Sequence, residues 1–523
     1  LEEAVSSTII KRKCPHCNKL ALQSSSYTAG DWIYITLDCK HTILKSVLAP
    51  PDAEEIVSED GRSLFDFQFA GVEFAERAGG CCIIGDEMGL GKTVQDIALL
   101  MRNKAEMLPA LKVVKSGLRL QWLGEIYRWA GIASQVIYSS KEQPYFDIFK
   151  VVIVSADTLR NLQWSEETIA KFKSITIDEC QLFKNSNSAR TKTLRKLFSK
   201  IPHRIALSGT AIKNNAGEYF PMLNFINPEQ FPSEARFLRD DVVWDGVKAH
   251  GLRYPKRFEE KTKDWIIRRL RADVLPDLPK VFRQFRKVEM EEGLAEAYRK
   301  TVQEFAEFYE GLDEEPNFSE GTNILGYFAR MRHLTGLSKC QSAVDYAEEF
   351  LLSTNRKLVI FVHHKDVGQM IINKLNATLK DGGYAGAAEI TSDMDVTMRQ
   401  SQVELFRSDA CRILVASTLA AGEGLNLQFA SDCLIVERQW NPANEEQAEA
   451  RFPRPGSTAD RVNAAYLIAI ATIDEWLTAL IEKKRSIMQQ TLDGKDIPWD
   501  QQSLMKELAQ ILIQKGREGG FIR

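Results

Sequence analysis

Residues 85–93, Gly-Asp-Glu-Met-Gly-Leu-Gly-Lys-Thr, are the stretch of this chain best suited to hold a triphosphate. The apolar run 81–84 before them reads as a buried strand, and Lys92 and Thr93 open a helical pattern that continues to Met101. A strand, a Gly-rich turn and a helix N-terminus in that order aim backbone N–H groups and the positive end of the helix dipole at one point. Lys92 would reach the β- and γ-phosphates of a nucleoside triphosphate and the Thr93 hydroxyl would hold Mg²⁺, with Gly89 and Gly91 letting the backbone approach. The strict pattern wants Gly six residues before the lysine, and here that place is Asp86. Taken alone, such a turn is equally an ordinary strand-to-helix connection.

A second cluster supplies partner chemistry. In 175–179, Ile-Thr-Ile-Asp-Glu, two carboxylates stand at the C-terminal end of a buried strand, where open parallel sheets bind ligands. Asp178 would hold Mg²⁺ and Glu179 would orient or deprotonate the attacking water. Acidic pairs after strands also cap helices, but pairing with Lys92 and Thr93 in one lobe favours catalysis. Further on, Gln-Ala-Glu-Ala-Arg-Phe-Pro-Arg at 447–454 sets Arg451 and Arg454 three apart. In a surface helix they would mean little. Facing a γ-phosphate across a cleft they would act as arginine fingers, making hydrolysis depend on closure of two lobes.

The elements that must position these groups are legible as pattern. From about 64 to 228, apolar strands at 81–84, 111–114, 151–155, 175–178 and 204–208 alternate with amphipathic helices, which implies a parallel sheet covered on both faces. Residues 230–340 read as helical, polar and basic, with no clear strand. Alternation resumes with strands at 357–362, 388–391, 412–417, 433–436 and 462–468, and the tail beyond Thr472 reads as helix. The fold class is therefore α/β: two doubly wound parallel-sheet lobes, 61–228 and 341–480, a helical basic interlobe segment, 229–340, an N-terminal module, 1–60, and a helical tail, 481–523.

Composition bounds the partners. The 523 residues are 44% apolar and carry a net charge of −3, an ordinary globular balance that neither announces nor excludes nucleic acid. Two patches are basic: 252–287 holds twelve Lys/Arg against five Asp/Glu, and 190–204 holds six with no acid. Either is also readable as a solvated face. Nine scattered cysteines do not make a disulfide framework, and no run suits a bilayer or a signal peptide. An intracellular, reducing location, cytoplasmic or nuclear, without a membrane partner, is expected.

So many ordered motifs permit a family resemblance to be stated. The chain resembles the Swi/Snf family of DNA translocases, within helicase superfamily two, over roughly 61–485. Residues 86–93 reproduce the family's first motif, Asp86 included, so that departure is a family trait. Phe67-Gln68 resembles the Q motif, which implies that Gln68 reads adenine. Residues 113–116 with Gln121-Trp122 and Glu125-Ile126 resemble motif Ia, with Lys115 in place of the usual Pro; 155–160 resembles the DNA-contacting motif that follows. Motif II is Asp178-Glu179-Cys180-Gln181, where relatives carry Ala or Gly and then His; Gln181 keeps the hydrogen-bonding capacity to couple with motif III, Ser208-Gly209-Thr210 with Asn214-Asn215. Residues 266–280 resemble the interlobe segment. Ser417-Thr418 with 422–427, including Gly424, resembles motif V, and Trp440-Asn441-Pro442 precedes motif VI. Motif IV, Phe361-Val362-His363-His364, is most similar to the annealing-helicase (HepA-related) subgroup.

The resemblance implies that both lobes are RecA-like, and it implies DNA-dependent ATP hydrolysis and tracking along the backbone of duplex or branched DNA. Ser, Thr, Lys, Arg and backbone amides suit phosphates and carry no sequence information. Lys115, Arg160, Thr210 and Thr418 are the backbone-contact candidates, each equally readable as a surface or capping residue. Cys14, Cys17, Cys39 and His41 form a separate set, C-x₂-C then C-x-H, that suits tetrahedral Zn²⁺, with His16 an alternative to His41. Such a module would dock DNA or a protein partner. Two rivals stay open: a strand-separating DNA or RNA helicase, and an ATPase-dead docking platform.

Overall fold

The computed structural model of the protein describes residues 11–13, 20–29, 32–37, 42–46, 56–59, 61–209, 216–244, 249–275, 278–311, 323–381, 386–418, 427–440, 442–452, 461–490 and 501–519. Two compact units divide the chain, Leu1–Asp277 and Leu278–Arg523. Cys14, Cys17, Cys39, His41, Thr210, Gly424 and Arg454 lie outside the described residues.

The first unit opens with an antiparallel meander, β1 (Lys11–Lys13), β2 (Leu20–Ala29), β3 (Trp32–Leu37) and β4 (Thr42–Ser46). Its main sheet is parallel and has seven strands: β5 (Cys81–Ile84), β6 (Ala110–Val114), β7 (Ser134–Ile137), β8 (Val151–Ser155), β9 (Ser174–Ile177), β10 (His203–Leu207) and, after a hairpin of β11 (Val242–Trp244) and β12 (Ala249–Leu252), β13 (Ile266–Ile267). Their spatial order is β13-β5-β10-β9-β6-β8-β7. Because successive side chains alternate faces, each strand feeds two cores. Ile83, Leu111, Val113, Val152, Val154, Ile175 and Ile177 pack on one side. Cys82, Ile84, Ala110, Val114, Val151, Ile153 and Ile205 pack on the other, under α1 (Asp66–Arg77), α2 (Lys92–Arg102) and the helix Arg119–Ala130. Burial on both faces is why the central strands read as continuous apolar runs.

The second unit repeats the plan. β14 (Lys280–Val288), β15 (Leu358–Val362), β16 (Ala388–Ile390), β17 (Ile413–Ser417), β18 (Asp432–Ile435) and β19 (Arg461–Ala469) form a parallel sheet of order β14-β19-β18-β15-β17-β16. Helices Glu292–Glu310, Asn323–Ser338, Ile473–Gln490 and Gln501–Glu518 share a separate apolar core that includes Val302, Phe305, Phe328, Ile473, Leu477 and Leu508.

The expectation that 230–340 holds no strand is corrected. Four strands, β11 to β14, lie there. In β14 the apolar residues Val281, Phe285 and Val288 fall at helical spacing, and as an edge strand it leaves most of its residues exposed, so it lacks the strict alternation that marks a half-buried strand. β13 is only two residues long and owes its pairing to β5 rather than to any run of its own. Among the described residues, no helix is long and apolar enough to cross a membrane.

Candidate active site

The C-terminal ends of β5, β10 and β9, adjacent in the first sheet, gather most of the chemistry read from the sequence. After β5 the chain turns through Gly89 and Gly91, with φ of 90° and 74°, and enters α2 at Lys92. Those angles favour glycine, and a Cβ on Gly91 would also come within 2.3 Å of Gln68 Nε2. The Lys92 ammonium donates to the carbonyls of Asp86 at 2.8 Å and Glu87 at 3.3 Å. Burial draws Lys92 below the ordinary lysine range, against the opposing pull of Glu179, Asp86 and Asp178. Thr93 follows in the first turn of α2.

Gln68 sits on α1 and is buried. Its amide oxygen accepts from the Phe65 N–H at 3.1 Å, and its amide nitrogen donates to the Leu90 carbonyl at 3.2 Å. It therefore staples α1 to the phosphate loop. The Asp86 carboxylate is also engaged inward. Arg269 donates to both its oxygens, at 2.9 and 2.5 Å, and Gln95 adds a third bond at 3.0 Å. That leaves the Asp86 carbonyl, rather than its carboxylate, to serve Lys92. Arg269 also donates to the Phe67 carbonyl and to Gln95 Oε1. Two residues on, Arg271 pairs with Glu87 at 2.9 Å. β13 and the residues after it thus run as a splint along the loop, with Gly85 and Glu87 N–H groups donating to the Ile267 and Arg269 carbonyls.

Asp178 and Glu179 follow β9. Glu179 has φ 49° and ψ 56°, a left-handed conformation uncommon for a non-glycine residue and typical of functional sites. Asp178 Oδ2 accepts the Trp122 indole N–H at 3.0 Å and Oδ1 accepts the Glu179 N–H at 2.9 Å. Burial first, and next the Glu179 carboxylate, push Asp178 up to about 7, against the Trp122 bond and Lys92. Gln181 donates to Glu179 Oε2 at 2.5 Å, and the Ser208 hydroxyl donates to Gln181 Oε1 at 3.2 Å. A chain of two hydrogen bonds therefore joins motif II to motif III. Two carboxylates and a hydroxyl are hard oxygen donors of the kind Mg²⁺ prefers, and the paired carboxylates offer the negative charge a divalent cation would balance.

The backbone-contact candidates separate. Lys115, partly exposed, follows β6, and Arg160, exposed, follows the short helix Ala156–Leu159 that comes after β8, so both stand beyond C-terminal strand ends, as the carboxylates do. Thr418 is different: it is 1% exposed and its hydroxyl donates to the Val362 carbonyl at 3.1 Å, a packing role that leaves no donor for an external phosphate. Arg451 occupies the turn after the helix Pro442–Glu449 in the second unit.

Trp122 and Arg269 were visible in the sequence only as motif letters. Their roles as partners of Asp178 and Asp86 depend on contacts between elements far apart in the chain. One local signal existed: a carboxylate pair needs a donor, and tryptophan in an apolar helix face needs an acceptor.

The family model described as the SNF2-related domain matches residues 67–336, and that described as the helicase conserved C-terminal domain matches 342–456. The chain belongs to the SNF2-related family. Among curated relatives it is 28% identical over 459 residues to the Bos taurus "DNA annealing helicase and endonuclease ZRANB3", covering 83% of this chain and 41% of that protein. It is 30% identical over 463 residues to the Xenopus tropicalis "SWI/SNF-related matrix-associated actin-dependent regulator of chromatin subfamily A-like protein 1", covering 86% and 47%. The chain thus spans less than half the length of these SNF2-related relatives. The solved Sulfolobus solfataricus SWI2/SNF2 ATPase core in complex with dsDNA is 22% identical, with a TM-score of 0.40, over 86% of this chain and 96% of that chain.

Proposed function

We propose that the chain is a DNA-dependent ATPase that moves along duplex or branched DNA through backbone contacts. The observation that carries the reading is the convergence of Lys92, Thr93, Asp178, Glu179 and Ser208 on three adjacent strand ends. Lys92 exchanges the two carbonyls it now holds for the β- and γ-phosphate oxygens, while backbone N–H groups at the start of α2 hold the remaining charge. Bound Mg²⁺ would neutralise charge developing on the phosphates, held by the Thr93 hydroxyl and by Asp178. Glu179, aimed by its left-handed backbone and by Gln181, orients the attacking water and takes its proton. Gln68 binds the adenine end by way of the staple it forms between α1 and the loop. Gly424 is proposed as a further nucleotide contact, and Arg451 and Arg454 as the cations that stabilise transition-state charge.

Lys115, Arg160 and Thr210 are the proposed phosphate contacts for DNA. Cys14, Cys17, Cys39 and His41 are proposed as Zn²⁺ ligands that staple the small N-terminal meander and dock DNA or a protein partner; metal analysis of the purified chain tests this, and absence of stoichiometric zinc would refute it. The free cysteines among the described residues, Cys82, Cys180, Cys340, Cys411 and Cys433 buried and Cys81 partly so, suit a reducing compartment. The whole reading is tested by comparing ATP hydrolysis with duplex DNA, forked DNA, single strands and RNA. Stimulation by duplex or forked DNA is expected; stimulation by RNA alone would reverse it.

A further inference from the structure

Beneath the phosphate loop, three polar side chains close a ring inside an apolar core. Lys112 and Thr176 face each other across β6 and β9, paired in register, and both are essentially without solvent exposure. Asp96, one turn into α2, covers them. Lys112 Nζ donates to Asp96 Oδ2 at 2.5 Å and to Thr176 Oγ1 at 2.9 Å, and the Thr176 hydroxyl donates to Asp96 Oδ1 at 2.6 Å. The charges balance within the ring. Ala110 and Val114 flank Lys112 at alternate positions of β6, Ile205 pairs with Thr176 across β10 and β9, and all three belong to the apolar core under α2.

A buried ion pair of this kind adds little stability over a well-packed apolar replacement, and what it supplies is direction. Here the direction is specific. Asp96 lies three residues past Thr93 on the helix that begins with Lys92, and Thr176 lies two residues before Asp178 on the same face of β9. The ring ties the helix that presents the phosphate-binding lysine to the strand that presents the carboxylates.

We propose that Asp96, Lys112 and Thr176 are positioning residues for ATP hydrolysis, fixing the register of α2 on β9. The proposal rests on the ATPase reading above and adds to it a structural determinant outside the motifs. A slide of α2 along β9 would separate Lys92 and Thr93 from Asp178 and Glu179 while leaving every one of those residues intact. Displacements on that scale cost catalysis heavily even when binding groups survive.

Thr176→Val tests this, because it is close in shape and leaves Lys112 and Asp96 paired, and Thr176→Ser is its control. The expected result is a DNA-stimulated kcat lowered about tenfold in Thr176→Val with KM for ATP within about twofold, restored by Thr176→Ser. Independently of turnover, amide hydrogens of residues 95–98 should exchange about fivefold faster in Thr176→Val than in Thr176→Ser. A second variant, Asp96→Leu with Lys112→Met, removes both charges together; it should fold and show the same kcat loss. Unchanged kcat and unchanged exchange in Thr176→Val would overturn the proposal. Wild-type protein that hydrolyses no ATP would instead refute the ATPase reading, and the exchange comparison would then decide the register claim by itself.

Discussion

Trp122 donates its indole N–H to Asp178 across 3.0 Å, from a helix that belongs to motif Ia to a carboxylate that belongs to motif II. The bond holds one Asp178 oxygen in place and favours the charged form of a carboxylate that burial would otherwise keep protonated. Replacing Trp122 with Phe keeps most of the apolar volume and removes the donor. Asp178 should then rise further above about 7, so a larger fraction is protonated at neutral pH. Titration of Mg²⁺-nucleotide binding against pH should show the whole curve displaced to higher pH in Trp122→Phe, and coincident curves would contradict the assigned role.

The same group sets a pH dependence in the wild-type protein. A protonated Asp178 cannot ligate a cation, so Mg²⁺-nucleotide affinity should increase as pH rises through the Asp178 value and level off above it. The expected rise is up to about tenfold per pH unit on the acid side, between about pH 6 and about pH 7. Asp178→Asn should bind weakly with little pH dependence over that interval. A wild-type affinity that is flat there would contradict the placement.

Asp86 and Arg269 form a buried ion pair that anchors the phosphate loop to the residues following β13. Arg269→Met leaves Asp86 without its partner in a low-dielectric site, and should cost about 3–5 kcal/mol of folding stability. Urea unfolding of wild type and Arg269→Met measures it; a loss below about 1 kcal/mol, the range of exposed pairs, would show that the pair is not buried as described.

Gln181 links Glu179 to Ser208 through two successive hydrogen bonds. Gln181→Ala should reduce the stimulation of hydrolysis by DNA about three- to tenfold while basal hydrolysis changes less. Equal losses in both rates would mean that Gln181 only orients Glu179. Lys115 and Arg160 call for a different measurement, the salt dependence of DNA binding, in which each alanine variant should lower the slope of log K against log salt by about one.

Most of the architecture was readable because its strands are buried on both faces. Runs such as Val151–Ser155 contain no polar residue until the last position, and parallel strands of that kind announce themselves. β7, β13 and β14 are edge or terminal strands, short or exposed, and their identity comes from a neighbour's backbone rather than from their own residues. The site divides in the same way. Lys92, Thr93, Asp178 and Glu179 lie in local motifs, so residue type and spacing were enough to expect them beside one another at strand ends. Asp86 stands within the phosphate-loop motif, yet its carboxylate is held by Arg269, a residue 183 positions away that no local pattern could supply. Thr418, a backbone-contact candidate by residue type, is buried and donates to the Val362 carbonyl, surroundings that its own sequence neighbours do not announce. Lys112 was a missed signal within reach: a lysine in the middle of an apolar strand must find a buried anion.

Lys92 is the group on which the nucleotide reading turns. Comparing wild type with Lys92→Ala, in ATP hydrolysis at saturating duplex DNA and in DNA binding without nucleotide, tests the central claim most directly. Hydrolysis should fall by about a hundredfold or more while DNA affinity stays within about threefold. A variant that hydrolyses ATP at the wild-type rate would show that the triphosphate is not held at the end of β5.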